Sequence, residues 1–368
     1  MLSVDPRMLE KGSAVRARTV AYGSLVEELS VVLYTKPGFK QEKLASNVTV
    51  YPTNSAYRFL FFFQAYRLGR KLIKPGTLVT SQDGITNFVA VLLKWFYDIP
   101  LQVQIHTDFM SPYFLRGSPK NFLHYLGYRL GIAYADCVRV VSTRITRSIK
   151  EAGWSFKREP FVLPIFVDAE HFRTTPASID LHVLYPNFET ITLMLSRLEP
   201  EKNITLALEA FAKIVSNFPK LGLVIVGEGS ERAKLERCAA SLGIRQSVVF
   251  AGWQHDLVSY YKTADIFLST SNYEGYGMSL VEARAAGCPI VTTEVGVVGE
   301  KLIAPLVRVC PVGDTACVAK NLQELIADPD LRRRISSEML TTSLALPRDT
   351  DEYLELHRDL LTRCFDSS

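Results

Sequence analysis

Between Ala264 and Thr293 the chain carries a complete strand–loop–helix–strand unit, and such a unit commits its surroundings to a parallel sheet. Ala264-Asp-Ile-Phe-Leu-Ser269 is a short apolar run followed by turn residues, which reads as a buried strand. Met278 to Ala286 is strongly helix-forming, with Gly287 at the position after the helix and Pro289 just beyond. Ile290-Val-Thr-Thr293 reads as the next strand. Glu274 therefore belongs at a strand's carboxyl end, where open α/β sheets bind ligands. Gly275 and Gly277 let the backbone approach a ligand and turn N–H groups toward it. The helix that follows points its positive end at the same place, which suits a phosphate. Glu282 lies roughly one turn into that helix, and a carboxylate there can accept from paired sugar or ribose hydroxyls. By themselves the two acids also fit a plainer description, a solvated loop acid and a surface acid near a helix start.

The rest of the second half repeats the alternation. Strands are expected at Ile191–Leu195, Leu221–Val226 and Val248–Phe250, with helices over 204–217 and 230–242. Ser196-Arg-Leu-Glu-Pro-Glu-Lys-Asn203 falls between a strand and a helix. Arg197 and Lys202 can both face the sheet's carboxyl edge from there, a fork of directed donors beside a compact charge, as a diphosphate requires. The competing arrangement pairs them locally with Glu199 and Glu201 and leaves both on the surface. Gly227 opens Gly-Glu-Gly-Ser230 as a nucleotide loop would, but Arg232 stands where a dinucleotide fingerprint has its third glycine, which argues against NAD. Asp328-Pro-Asp330 and Asp349-Thr-Asp351 precede helical sequence and read as helix-start acids, so no catalytic metal is expected.

In the first half, strands are expected at residues 1–4, 31–34, 77–80, 101–105 and 137–141, with a helix from Gly12-Ser13 to about Leu29. Gly12 offers a turn between strand and helix where a phosphate or sugar could approach. His106 ends a strand and could orient an acceptor hydroxyl, although a lone histidine is more often structural. Tyr57 to Lys74 is aromatic and basic with no acid. It reads as a helix packed on the sheet with its basic end in water, and alternatively as an interfacial helix on anionic lipid.

At 368 residues two domains are expected. The boundaries fall at 1–172 and 173–348, with a final helical segment over 349–368. No apolar run reaches membrane-spanning length, and nothing at the N-terminus resembles a secretion signal. The six cysteines, without a C-x-x-C pair, read as reduced thiols of a cytoplasmic protein. Residues 1–172 hold 22 Lys and Arg against 13 Asp and Glu, whereas 173–368 hold 20 against 25. That asymmetry suits an anionic surface or acceptor for the first half alone.

SRLEPEKN, VIVGEGSER, FAGW and EGYGMSLVEARAAGCPIV occur in this order, and over residues 190–300 the chain closely resembles the retaining glycosyltransferases of family 4. The first half is similar more thinly, through Gly12, the IHTD segment and VDAEHF. The resemblance implies an α/β protein of GT-B architecture, two Rossmann-like domains facing each other across a cleft, with the last helix crossing back to the first. In the family's Glu-x7-Glu pair, Glu274 would contact the transferred sugar and Glu282 the ribose. Arg197 and Lys202 match the diphosphate ligands, and amides from Gly275 through Tyr276, Gly277 and Met278 would hold sugar and phosphate oxygens. Gly12 matches the other domain's glycine turn, His106 the histidine near the sugar, and Trp253 the place of the base. Ser13, Ile165-Phe166 and Val297 depart from the family's pattern.

The expected activity is a retaining, metal-independent transfer of sugar from a nucleoside diphosphate to a hydroxyl, in cell-surface glycan or glycolipid assembly. No cofactor and no nucleic-acid partner are expected. The acceptor would be lipid-linked or otherwise anionic, with peripheral membrane contact through the basic first domain. A silent sugar-nucleotide-binding subunit, an epimerase and a phosphorylase are the alternatives.

Overall fold

The computed structural model describes residues 1–57 and 59–365. Arg58, in the basic aromatic stretch, and residues 366–368, at the end of the segment expected to cross back, lie outside the described residues. The chain divides into two units, Met1–Pro164 with Asp349–Ser368, and Ile165–Arg348.

The first unit is built on an eight-stranded sheet: β1 (Leu2–Ser3), β2 (Leu29–Leu33), β3 (Glu42–Ala45), β4 (Val48–Pro52), β5 (Val79–Ser81), β6 (Leu101–Ile105), β7 (Cys137–Val140) and β8 (Phe161–Val162). Their order is β3-β4-β2-β1-β5-β6-β7-β8, and only β3 with β4 runs antiparallel. Neither β3 nor β4 is among the sequence expectations: Glu42-Lys-Leu-Ala45 lacks the apolar run that marks a buried strand, whereas Val48-Thr-Val-Tyr-Pro52 does carry a strand's alternation. Helix α1 (Ala14–Gly23) also stops short of Leu29. Asn47 Nδ2 takes the carbonyls of Gly23 and Val26 at 2.8 and 3.0 Å, and Gly23 packs so close to Val48 that a Cβ would fall 2.3 Å from it.

Helices α2 (Leu60–Leu72), α3 (Gly84–Tyr97), α4 (Pro112–Gly117) and α5 (Pro119–Tyr134) follow, with α2, α3 and α5 packed side by side over β2, β1, β5 and β6. At the α3–α5 crossing a Cβ on Gly127 would lie 1.8 Å from the Gly84 carbonyl, so the backbones touch there. Helix α6 (Thr143–Glu151) precedes β8.

In the second unit α7 (Ala169–Thr174) and α8 (Leu181–Leu184) lead into six parallel strands: β9 (Thr190–Leu195), β10 (Leu221–Val226), β11 (Val248–Gly252), β12 (Ile266–Ser269), β13 (Ile290–Thr293) and β14 (Val307–Cys310). Their order is β11-β10-β9-β12-β13-β14. The helices are α9 (Ile204–Ala212), α10 (Arg232–Ser241), α11 (Leu257–Thr263), α12 (Met278–Ala285), α13 (Thr315–Ala327) and α14 (Pro329–Thr341). Strands β9, β10, β12 and β13 are apolar and almost wholly buried, as a parallel sheet covered on both faces demands. The chain passes into this unit at Ile165, and α7 packs on α12 with the Phe172 ring 5.7 Å from that of Tyr261.

The last helix, α15 (Thr350–Phe365), lies in the first unit against β6 and β7. Arg139 of β7, fully buried, donates to Gln104 Oε1 (2.9 Å), the carbonyls of Leu163 (3.1 Å) and Pro164 (3.0 Å), and the Tyr353 hydroxyl (2.6 Å). One guanidinium thus ties the segment leaving the unit to the helix that returns to it.

The cysteine expectation is corrected. Cys137 is joined to Cys364, Cα atoms 5.2 Å apart, and Cys310 to Cys317, Cα atoms 5.7 Å apart, leaving Cys238 and Cys288 free. A partner 227 residues away leaves no trace in local spacing, and the shorter pair forms because β14 ends opposite the first turn of α13.

Candidate active site

Strands β9 and β12 are neighbours, yet the chain leaves them in opposite directions, toward β10 and β11 on one side and toward β13 and β14 on the other. At such a reversal the two outgoing loops part and open a crevice at the carboxyl edge. The loop after β9 carries Arg197 and Lys202, and the loop after β12 carries Glu274. Thr270 Oγ1 donates to the carbonyls of Lys202 (3.2 Å) and Asn203 (3.0 Å), and the Asn272 amide donates to the Glu201 carbonyl (2.8 Å). These bonds stitch the loops together and bring Lys202 Nζ to 2.5 Å from Glu274 Oε1, both side chains 15% exposed. Ser271 Oγ donates to the same oxygen at 2.8 Å. Among the described residues Glu274 Oε2 has no hydrogen-bond partner, so half of the carboxylate remains open to a hydroxyl.

Arg197 is 65% exposed and pairs with Glu201 at 2.7 Å, the local pairing that sequence allowed. Glu199 is occupied elsewhere, accepting from the Ser230 amide (3.1 Å) and hydroxyl (2.7 Å). The Tyr273 hydroxyl is pushed up to about 12, by burial first, then by Glu201 and Glu274, against the pull of Arg197. Tyr273 therefore stands within the field of all three charges, a position no sequence signal disclosed.

Glu282 accepts from the Tyr261 hydroxyl at 2.8 Å. Burial raises its carboxyl above the ordinary range, and the Tyr261 bond works against that shift. Sequence reasoning missed Tyr261 as well, because its contact with Glu282 depends on how α11 packs and not on spacing.

Helix α12 starts at Met278 with Gly277 as its cap at φ +92 and no side-chain cap. The amides of Met278 and Ser279 have no acceptor among the described residues, which leaves donors at the helix's positive end. Tyr276 is buried, its carbonyl accepting from the Val297 amide at 3.0 Å. A Cβ on Gly296 would lie 2.3 Å from that carbonyl, so the segment around Gly296 and Val297 is the backing of the Gly275–Gly277 turn. Gly227, at φ +128, would put a Cβ 2.0 Å from the Ser196 carbonyl, and its amide is already donated to the Gly252 carbonyl at 2.8 Å. Trp253 follows β11 at the same edge and is 66% exposed.

Gly12 and His106 belong to the first unit. Gly12, at φ +82, precedes Ser13, whose hydroxyl caps α1 by accepting from the Arg16 amide at 3.1 Å. His106 follows β6, and its imidazole is pushed down to about 3, chiefly by burial and then by the Arg139 charge. It is a neutral ring at physiological pH. The first sheet reverses between β1 and β5, and there Asp83 meets His124 Nδ1 at 2.8 Å, a pair that sequence spacing gave no reason to link. Among the described residues no group of three or more His, Cys, Asp and Glu side chains is disposed to hold a metal.

Residues 184–339 match the family model described as glycosyl transferases group 1. The lipopolysaccharide core biosynthesis glycosyltransferase LpsE of Rhizobium meliloti (strain 1021) is 27% identical over 226 residues, 60% of this chain and 64% of that protein. The chain thus matches less than two thirds of that relative's length. Sucrose-phosphate synthase from Thermosynechococcus elongatus superposes with a TM-score of 0.79 at 18% identity, covering 100% of this chain and 99% of that one. Anabaena HepE, solved with UDP and glucose, superposes with a TM-score of 0.76 at 18% identity, covering 98% of each chain. The fold is GT-B, two parallel-sheet units of the kind these structures share.

Proposed function

We propose, for a chain whose residues 184–339 match the family model of the glycosyl transferases group 1, a retaining and metal-independent transfer of a sugar from a nucleoside diphosphate to a hydroxyl acceptor. The observation that carries this reading is the Lys202–Glu274 pair at the reversal point of the second sheet, beside the open amides of α12. The diphosphate lies across Lys202, Arg197 and those amides. Arg197 reaches it by releasing Glu201, an exposed pair worth about 0–1 kcal/mol, which a bidentate phosphate contact exceeds. The two cations take up the charge that develops on the leaving phosphate, the part a metal would otherwise play.

In the transfer step the bond between the anomeric carbon and the phosphate oxygen breaks, and its electron pair stays on the phosphate. The acceptor oxygen bonds to the same face of the sugar, and its proton passes to the departing phosphate oxygen. Glu274, steadied by Lys202 and Ser271, holds sugar hydroxyls through Oε2, and Glu282 holds the ribose. His106, neutral, serves as a hydrogen-bonding group for sugar or acceptor and not as a charge. Trp253 covers the base, while Gly12 and Gly227 give close backbone approach. HepE, on the same fold, holds UDP and glucose, which supports this donor class. We place the activity in the assembly of a cell-surface glycan or glycolipid, in keeping with the name of LpsE.

The test is product analysis with a set of nucleoside-diphosphate sugars. The expected result is release of nucleoside diphosphate with the sugar's anomeric configuration kept, in the presence of a chelator. An inverted product, or turnover that stops on chelation, overturns the reading.

A further inference from the structure

The helices α2, α3, α4 and α5 contain no acidic residue and seven cations, Arg67, Arg70, Lys71, Lys94, Arg116, Lys120 and Arg129. Lys94 turns inward to Asp136, and the other six are exposed. Arg67, Arg70 and Lys71 have no ion-pair partner among the described residues. A helix layer laid on a parallel sheet ordinarily buries its apolar stripe and shows charges of both signs to water. Here the outer surface carries large apolar side chains instead. Phe59 (70% exposed) and Phe63 lie one turn apart at the start of α2, Trp95 and Phe96 (69% exposed) at the end of α3, and Phe122 and Leu126 one turn apart on α5. The Phe96 ring reaches Tyr66 of α2 at 6.1 Å and Trp95 reaches Tyr134 of α5 at 4.8 Å, so the three helices share one continuous surface. Along α2 the aromatic residues continue into Arg67 and Lys71 at steps of four, which puts rings and cations on one stripe.

We infer that this face of the first unit rests on an anionic lipid bilayer, with its aromatic and leucine side chains at the acyl boundary and its cations among the headgroups. The combination is that of an interfacial surface: apolar area enters the bilayer, while Lys and Arg find counter-charge and the four helices themselves carry no acid, with Asp98 exposed at the cap of α3 just past them. A second copy of the chain fits poorly, because a two-fold contact through this face sets cation against cation. No helix of the described residues is long and apolar enough to cross a membrane, so the contact is with the surface. The inference does not depend on the proposed transferase activity, and its test reads binding without turnover.

The experiment is partition of the full chain onto vesicles of phosphatidylcholine alone and of phosphatidylcholine mixed with phosphatidylglycerol, at low and high salt. Binding to the mixed vesicles is expected to be at least tenfold tighter and to weaken with salt. The pair Arg67→Gln with Lys71→Gln loses about 25-fold, at roughly fivefold per cation, and Phe63→Ser with Phe96→Ser loses at least tenfold. Melting temperatures of both double variants verify that they fold. Brominated lipid quenches tryptophan emission in the parent and less so in Trp95→Phe, a readout that a purely structural role leaves unchanged. Equal partition onto the two vesicle types overturns the inference. So do aromatic variants that bind as the parent does, or a dimer abolished by Phe63→Ser in a protein that ignores vesicles.

Discussion

The first five helices of the chain and the helices that cover the second sheet obey opposite charge rules, while α6 and α15 of the first unit carry acids. From α1 to α5 there is no acid, whereas five of the six helices from α9 to α14 carry one. In the second unit opposite charges meet in the loops at the carboxyl edge, where Lys202 and Glu274 neutralise one another and Arg197 holds Glu201. On α2, α4 and α5 of the first unit charge of one sign is spread over a helical surface, and Arg67, Arg70 and Lys71 have no ion-pair partner among the described residues. The second arrangement presents a point-like set of donors and acceptors to a small polar ligand, and the first presents area. On the two readings proposed above, one chain separates recognition of a donor from recognition of a surface by giving each its own sheet.

Four experiments break or sharpen that comparison. The largest effect is expected from the cross-links. Opening Cys137–Cys364, which closes a separation of 227 residues, should destabilise the first unit by about 3–5 kcal/mol, and opening Cys310–Cys317, which closes 7, should cost the second unit only about 2 kcal/mol. Thermal melting of Cys364→Ser and Cys317→Ser reads the difference, and thiol titration of the unfolded, unreduced chain should count two thiols. Next, Lys202→Ala or Glu274→Ala should lower kcat by about 10²–10³ with the fold retained. Near-normal turnover in either variant would remove the pair from the site.

Acid separates the units in another way. His106 and His357 both have imidazoles pushed down to about 3, by burial first and by Arg139 next. The unfolded chain takes up their protons below about 6.5, whereas the folded one does so only near 3. Stability from these groups is thus complete above about 6.5 and is lost as pH falls toward 3, with a slope of about two protons. Melting followed against pH should show it, and His357→Gln should reduce the slope by about one proton. Smallest of all, Tyr261→Phe removes one hydrogen bond from Glu282 and should weaken nucleotide-sugar binding by about fivefold, a loss of about 1 kcal/mol. Unchanged affinity by calorimetry would detach Glu282 from the ribose.

The strand–loop–helix–strand unit at 264–293 was legible because short apolar runs, a glycine turn and a helix stop are local signals, and the structure has β12, α12 and β13 there. Strand β3 was not legible, since Glu42-Lys-Leu-Ala45 becomes a strand only by pairing with β4 at the sheet's edge. Nor did spacing reveal Tyr261 beside Glu282, Tyr273 among Glu201, Glu274 and Arg197, or His124 beside Asp83. Each of those partners is delivered by a different helix or loop, and contact between distant segments has no period to read.

What the sequence alone determined is the class of architecture and the chemical character of its pieces: apolar runs of strand length, helices between them, cations and carboxylates at strand ends, and a first half rich in positive charge. Only the tertiary structure decided which of those pieces meet. It placed β9 next to β12 so that Lys202 reaches Glu274, joined Cys137 to Cys364, and set α2, α3 and α5 side by side so that scattered rings became one surface. Local free energies fix local conformation, but which side chains become neighbours follows from strand order and helix packing, which are settled by the burial of the whole chain.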